Sequence, residues 1–169
     1  ERSVSDMRAL AFAALAGCVL ALNFEFPDGF HWGAATASYQ IEGGWLDGDR
    51  GMSIWDAYCH TKGNCATVGD VACDHYHLWE QDVALMAKLG LENYRMSISW
   101  SRLLADGQGT DLLEDGVRFY NSIIDALVAA GINPVVTLYH WDLPLQIQEM
   151  HDGWIGDEIT DLYLSYVDQ

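Results

Sequence analysis

The chain of 169 residues is long enough for one domain with a substantial core and too short for two of ordinary size. Half of its residues are hydrophobic and a fifth are charged, which excludes a disordered composition. Eight basic residues face twenty-five acidic ones, for a net charge of -17 with no basic cluster, so electrostatics argue against nucleic acid as a partner.

The chain opens unusually, with Glu1 to Asp6 ahead of Met7. From Met7 one Arg is followed by about fourteen apolar residues and a small-residue exit at Val19-Leu20-Ala21. That is the pattern of a secretory signal peptide with translation starting at Met7 and cleavage near Ala21, and it is too short to span a bilayer comfortably. Residues 1–21 are therefore expected to be a leader and 22–169 the folded part, in a secreted, vacuolar or lysosomal protein. Two other readings remain: a short interfacial helix, and a lipoprotein signal at Leu15-Ala16-Gly17-Cys18.

Phe30 to Ser38 is small and aromatic and predicts a buried strand. A long Gly- and Asp-rich connection runs from Gly43 to about Asp74, and connections of that length are usually functional excursions. Asp74 is placed to cap a helix over 75–89 with its carboxylate. Leu78, Val83, Leu85, Met86 and Leu89 give that helix an apolar face, and Gly90 ends it. Asn93 to Trp100 predicts the second strand. A second helix follows over 114–130, burying Val117, Tyr120, Ile123, Ile124, Leu127 and Val128 and stopping at Gly131. Pro134 to His140 is a continuous apolar run of the kind found in parallel strands covered on both faces, and 157–167 is a last helix. Strand and helix in alternation signal a parallel α/β architecture.

With Cys18 in the leader, Cys59, Cys65 and Cys73 remain. A Cys59–Cys65 bridge closing a small loop would fit an oxidising compartment, with Cys73 a free, buried thiol. The spacing lacks the C-x-x-C pair of a zinc site. His75 and His77 beside Asp74 are poor metal ligands, because residues two apart on a helix do not share a face. No metal or other cofactor is implied, and no Ser or Cys stands in a nucleophile elbow.

Five segments carry a resemblance: F-H-W-G-A-A-T-A-S-Y-Q-I-E-G from Phe30, G-M-S-I-W-D from Gly51, G-D-V-A-C-D-H-Y-H from Gly69, Y-R-M-S-I-S-W-S-R from Tyr94, and L-Y-H-W-D-L-P from Leu138. In this order they resemble the family 1 glycoside hydrolases, the β-glucosidase group. The resemblance implies the N-terminal portion, about three βα units, of a (β/α)8 TIM barrel, with its site at the C-terminal ends of the strands. It implies that Gln40 and His140 bind sugar hydroxyls, that Trp141 walls the subsite, and that Arg95 keeps a nucleophilic carboxylate ionised. Glu42 and Asp142 match structural positions rather than a catalytic pair.

Retaining glycosidases need two carboxyl groups about 5 Å apart. In the family resembled, the acid/base Glu follows the fourth strand in an Asn-Glu-Pro motif, and the nucleophile follows the seventh. Neither motif occurs among these 169 residues, so this chain alone is expected to be inactive, and the complete protein to act on a β-glycoside or oligosaccharide. Two alternatives stand beside that: a non-catalytic, klotho-like binding protein, and a short product whose open barrel edge is covered by a partner chain.

Overall fold

The computed structural model describes residues 25–169, so the signal-like segment from Met7 to Ala21 and Cys18 lie outside the described residues. Two compact units divide the chain between Phe30 and His31. The described part of the first is a turn closed by the Phe30 amide donating to the Pro27 carbonyl at 3.0 Å, with the Phe26 and Phe30 ring centroids 4.6 Å apart.

The second unit begins with β1 (Gly33–Ala35), α1 (Ser38–Ile41), a 3-10 turn (Asp47–Asp49), α2 (Ile54–His60) and α3 (His75–Leu89). It continues through β2 (Asn93–Ser97), α4 (Trp100–Leu103), α5 (Glu114–Ala129), β3 (Asn133–Thr137), α6 (Leu145–His151), a second 3-10 turn (Gly153–Ile155) and α7 (Ile159–Val167). The strands form one parallel sheet in the order β1-β2-β3, with Ala35, Arg95 and Val135 in register. Parallel neighbours need a crossover, and α3 and α5 supply it.

Side chains alternate across a strand, and this divides β2 between two tasks. Tyr94 and Met96 face the helices and pack with Val83 of α3 and with Phe119, Tyr120, Ile123 and Leu127 of α5. Arg95 and Ser97 therefore lie on the other face. A second core joins Trp100, Leu104, Leu143, Ile147, Ile159 and Tyr166, in which the Trp100 and Tyr166 rings stack at 4.6 Å. Both crossover helices stop the same way. Gly90 and Gly131 adopt φ of 73° and 74°, and the amides of Leu91 and Ile132 reach back to the carbonyls of Met86 and Leu127. That is the Schellman pattern, in which glycine takes the left-handed conformation without a Cβ penalty.

Several expectations need correction. The first strand is three residues long and exposed rather than buried, because among the described residues it pairs on its β2 side alone and the chain leaves it at Ser38 to form α1. The connection from Gly43 to Asp74 contains α2, whose capping box uses Ser53 and Asp56 where Glu or Gln is the usual partner. Asp74 does precede α3, but its left-handed φ of 57° turns the carboxylate to His77 Nδ1 at 2.6 Å, and only its backbone carbonyl serves the first turn. The inward stripe of α3 runs through His75, Trp79, Val83 and Met86, while Leu85 and Leu89 are exposed and Leu78 is borderline at 36%. In α5, Phe119 is buried and Val128 is exposed. β2 ends at Ser97, with Trp100 opening α4, and β3 ends at Thr137 with His140 beyond it. Val135 and Val136 are exposed, since among the described residues β3 is paired on its β2 side alone. Cys59 and Cys65 are bonded, with Cα atoms 5.0 Å apart, and Cys73 is exposed rather than buried.

Candidate functional site

The C-terminal ends of β1 and β3 each release a polar side chain into one cleft. Gln40 stands on α1, three residues into that short helix, and His140 and Trp141 follow β3. They line an open cleft of roughly 380 Å³ together with Ala37, Tyr39, Trp55 and Cys59. Trp141 is 71% exposed and sits at a left-handed φ of 69°, a strained conformation for a bulky residue that the surrounding backbone must hold. The hold is visible: Leu143 accepts from the Ile54 amide at 2.8 Å, Leu145 donates to Met52 at 2.8 Å, and Ser53 and Pro144 form a bridge.

Trp55 and Trp141 also border a second, more open cleft of roughly 570 Å³, completed by Ile54, Tyr139 and Trp154. The Trp154 indole donates to the Tyr139 hydroxyl at 2.7 Å. Burial raises the Tyr139 phenol above its ordinary value, partly offset by that bond. Aromatic walls with a few polar groups between them suit a ligand with apolar faces and hydroxyl edges. Tyr39, Trp55, Tyr139 and Trp154 were not singled out from sequence. Tyr39, Trp55 and Tyr139 did lie inside the quoted motifs, Tyr39 next to Gln40 and Tyr139 next to His140, and that adjacency was the available signal.

Arg95 is on the same face of the sheet as Ser97, and its Nε donates to Thr137 Oγ1 at 2.6 Å. This bond fixes the guanidinium across the β2–β3 pair. Glu42 is part of a buried cluster away from the cleft. It accepts from Arg102 Nε at 2.8 Å and from the Tyr120 hydroxyl at 2.7 Å, while Arg102 also donates to the Gly43 and Gly44 carbonyls. Burial works against the charge on Arg102, yet the Glu42 carboxylate together with Tyr120 and Tyr76 holds the guanidinium above its ordinary value. Asp142 is fully buried and accepts the Ser38 hydroxyl at 2.6 Å. Burial pushes its carboxyl up, and the Ser38 bond pulls it back.

The histidines beside Asp74 diverge. His75 is buried against Phe119 and bonds Asp82 at 2.6 Å, whereas His77 stays at the surface between Asp74 and Asp47. Among the described residues no group of three or more His, Cys, Asp or Glu is placed to hold a metal ion.

A family model described as Glycosyl hydrolase family 1 matches residues 22–169. The chain is 50% identical over 145 residues to "Beta-glucosidase 42" of Arabidopsis thaliana, a match covering 85% of this chain and 30% of that protein. It is 51% identical over 144 residues to "Beta-glucosidase A" of Thermotoga maritima, covering 84% of this chain and 32% of that one. A solved β-glucosidase from Thermotoga maritima in complex with deoxynojirimycin superposes with a TM-score of 0.80 at 51% identity, over 84% of this chain and 33% of that chain. The chain thus spans about a third of the length of these relatives, and its three βα units are the N-terminal portion of a (β/α)8 barrel.

Proposed function

Because the chain belongs to glycosyl hydrolase family 1, we propose that the protein of which it forms part hydrolyses the O-glycosidic bonds of β-glucosides or related β-glycosides with retention of configuration. The observation that carries this reading is the convergence of Gln40, His140 and Trp141 on one cleft at the C-terminal ends of the strands. In that cleft Gln40 offers an acceptor and two donors on one plane, suited to vicinal hydroxyls, and His140 offers a ring nitrogen. Trp141 supplies a face for the pyranose ring. Arg95, held by Thr137, provides a fixed positive charge on the sheet face, which would keep a nearby carboxylate ionised and nucleophilic.

These residues bind and orient; the two carboxyl groups that break the bond are assigned to positions beyond 1–169. The wide aromatic cleft through Trp55 and Trp154 is where a flat or glycosidic leaving group would find surface. The leader pattern and the Cys59–Cys65 bridge support a secreted or secretory-pathway location. The test is expression of the complete reading frame and assay on a chromogenic aryl β-glucoside, with the first-formed anomer followed by NMR. Release of the β-anomer is the expected result. Absence of hydrolysis on glucosides, galactosides and fucosides alike, with retained sugar binding, would favour the non-catalytic binding reading.

A further inference from the structure

We propose that the buried hydrogen bond between Ser38 and Asp142 is the positioning element of the sugar cleft, setting the separation of Gln40 and His140. The inference rests on the function proposed above. Gln40 lies two residues after Ser38, and His140 two residues before Asp142, so the bond ties the two cleft-lining segments at equal distances from their functional side chains. The Ser38 hydroxyl donates to Asp142 Oδ2 at 2.6 Å, across 104 residues of sequence, with both residues buried. Ser97, at the end of β2, accepts the Ser38 amide at 2.7 Å and donates to the Ser38 hydroxyl at 3.1 Å. One buried relay therefore joins the segments that follow β1 and β3 to the end of β2.

Two observations separate this relay from ordinary packing. First, α1 is four residues long and has no side-chain cap of its own, so the orientation of Gln40 depends on where Ser38 is held. Second, the other buried carboxylates are paired with arginines, Glu42 with Arg102 and Asp56 with Arg50, whereas no ion pair among the described residues reaches Asp142. Its Oδ1 is buried without a partner. A buried carboxyl costs more than a neutral acceptor would. The Ser38 hydroxyl is the side-chain donor that offsets this cost. The residue between the two roles, Trp141, is held at φ 69°, so slack at Asp142 would pass directly to Trp141 and His140.

The experiment uses the complete enzyme and a chromogenic aryl β-glucoside. Ser38→Ala, which removes one hydroxyl, is expected to lower kcat/KM by about 10- to 100-fold, the scale of loss from a small misplacement of binding groups. Asp142→Ala should do the same, while Asp142→Asn, which keeps an acceptor for Ser38, should retain most of the activity. In a double-mutant cycle, Ser38→Ala should add little to Gln40→Ala, because both remove the same contact to sugar. Global destabilisation alone would move the melting temperature and leave the cycle additive. Wild-type kcat/KM in Ser38→Ala, or full additivity with Gln40→Ala, would overturn the positioning role and leave the hydrolase reading standing. A wild-type enzyme inactive on every β-glycoside would overturn both.

Discussion

Replacing Arg102 by Met would test the buried charge cluster around Glu42. Arg102 is 1% exposed and makes three hydrogen bonds, to Glu42 Oε2 and to the carbonyls of Gly43 and Gly44. Its guanidinium also lies 4.3 Å from the Tyr76 ring centroid. Met preserves the apolar stem and its contact with the aromatic rings, so the loss is chiefly electrostatic. Breaking one partner of a buried ion pair costs about 3–5 kcal/mol, because the remaining charge stays buried and unpaired. The carbonyls of the buried Gly43 and Gly44 lose a donor as well, so the upper end of that range is expected. Adding Glu42→Gln should recover about 1–2 kcal/mol by removing the stranded charge while leaving Tyr120 an acceptor. Urea unfolding of the complete protein, comparing the single and double variants, measures both numbers. A loss below about 1 kcal/mol for Arg102→Met, or a double variant less stable than the single, would refute the reasoning.

Other outcomes follow from the same structure. Ile123→Ala and Leu127→Ala, both fully buried, should each cost about 2–5 kcal/mol by thermal melt, whereas Val128→Ala on the exposed side of α5 should stay within about 0.5 kcal/mol. Gly116→Ala should destabilise despite alanine's better helix propensity, because a Cβ there would meet the Arg102 carbonyl oxygen at 1.9 Å. Reducing the Cys59–Cys65 bridge, which spans six positions, should cost about 2 kcal/mol by loop-closure entropy, read as a lower melting temperature in dithiothreitol. Burial raises the Asp142 carboxyl, so the folded state binds its proton more tightly than the unfolded chain does. Its contribution therefore turns destabilising as pH rises from the ordinary carboxyl value of 3.8 through the raised one, and Asp142→Asn should flatten that part of a pH–stability profile.

The crossover helices and the second and third strands were legible because each is a local pattern. An apolar period sits between an acidic start and a glycine stop, and Gly90 and Gly131 fall where the structure needs a left-handed residue. The inward face of α3 was not legible, because His75, Tyr76 and Trp79 carry polar atoms and pattern reading favours the leucines, yet the rings of His75 and Tyr76 pack against Phe119 and Trp79 packs against the same core. Helix α2 was hidden by its length and by an Asp in place of the usual capping-box Glu. Of the cleft, Gln40, His140 and Trp141 were reached through resemblance, and the structure brings those three together. The Ser38–Asp142 bond and the Glu42–Arg102–Tyr120 cluster join residues 60 to 104 positions apart, and no local pattern announces contacts of that range.

The order of the strands in the sheet has a consequence for synthesis. Since β1, β2 and β3 lie side by side in the order in which the ribosome makes them, each new strand can be added to an edge already present. The hydroxyl–carboxyl link from Ser38 to Asp142 cannot close until the third strand has emerged, so the cleft takes its final width only after the sheet beneath it exists. A nascent chain arrested before His140 would hold Gln40 without its counterpart, and one extended just past Asp142 would be the shortest in which the Ser38 link can close.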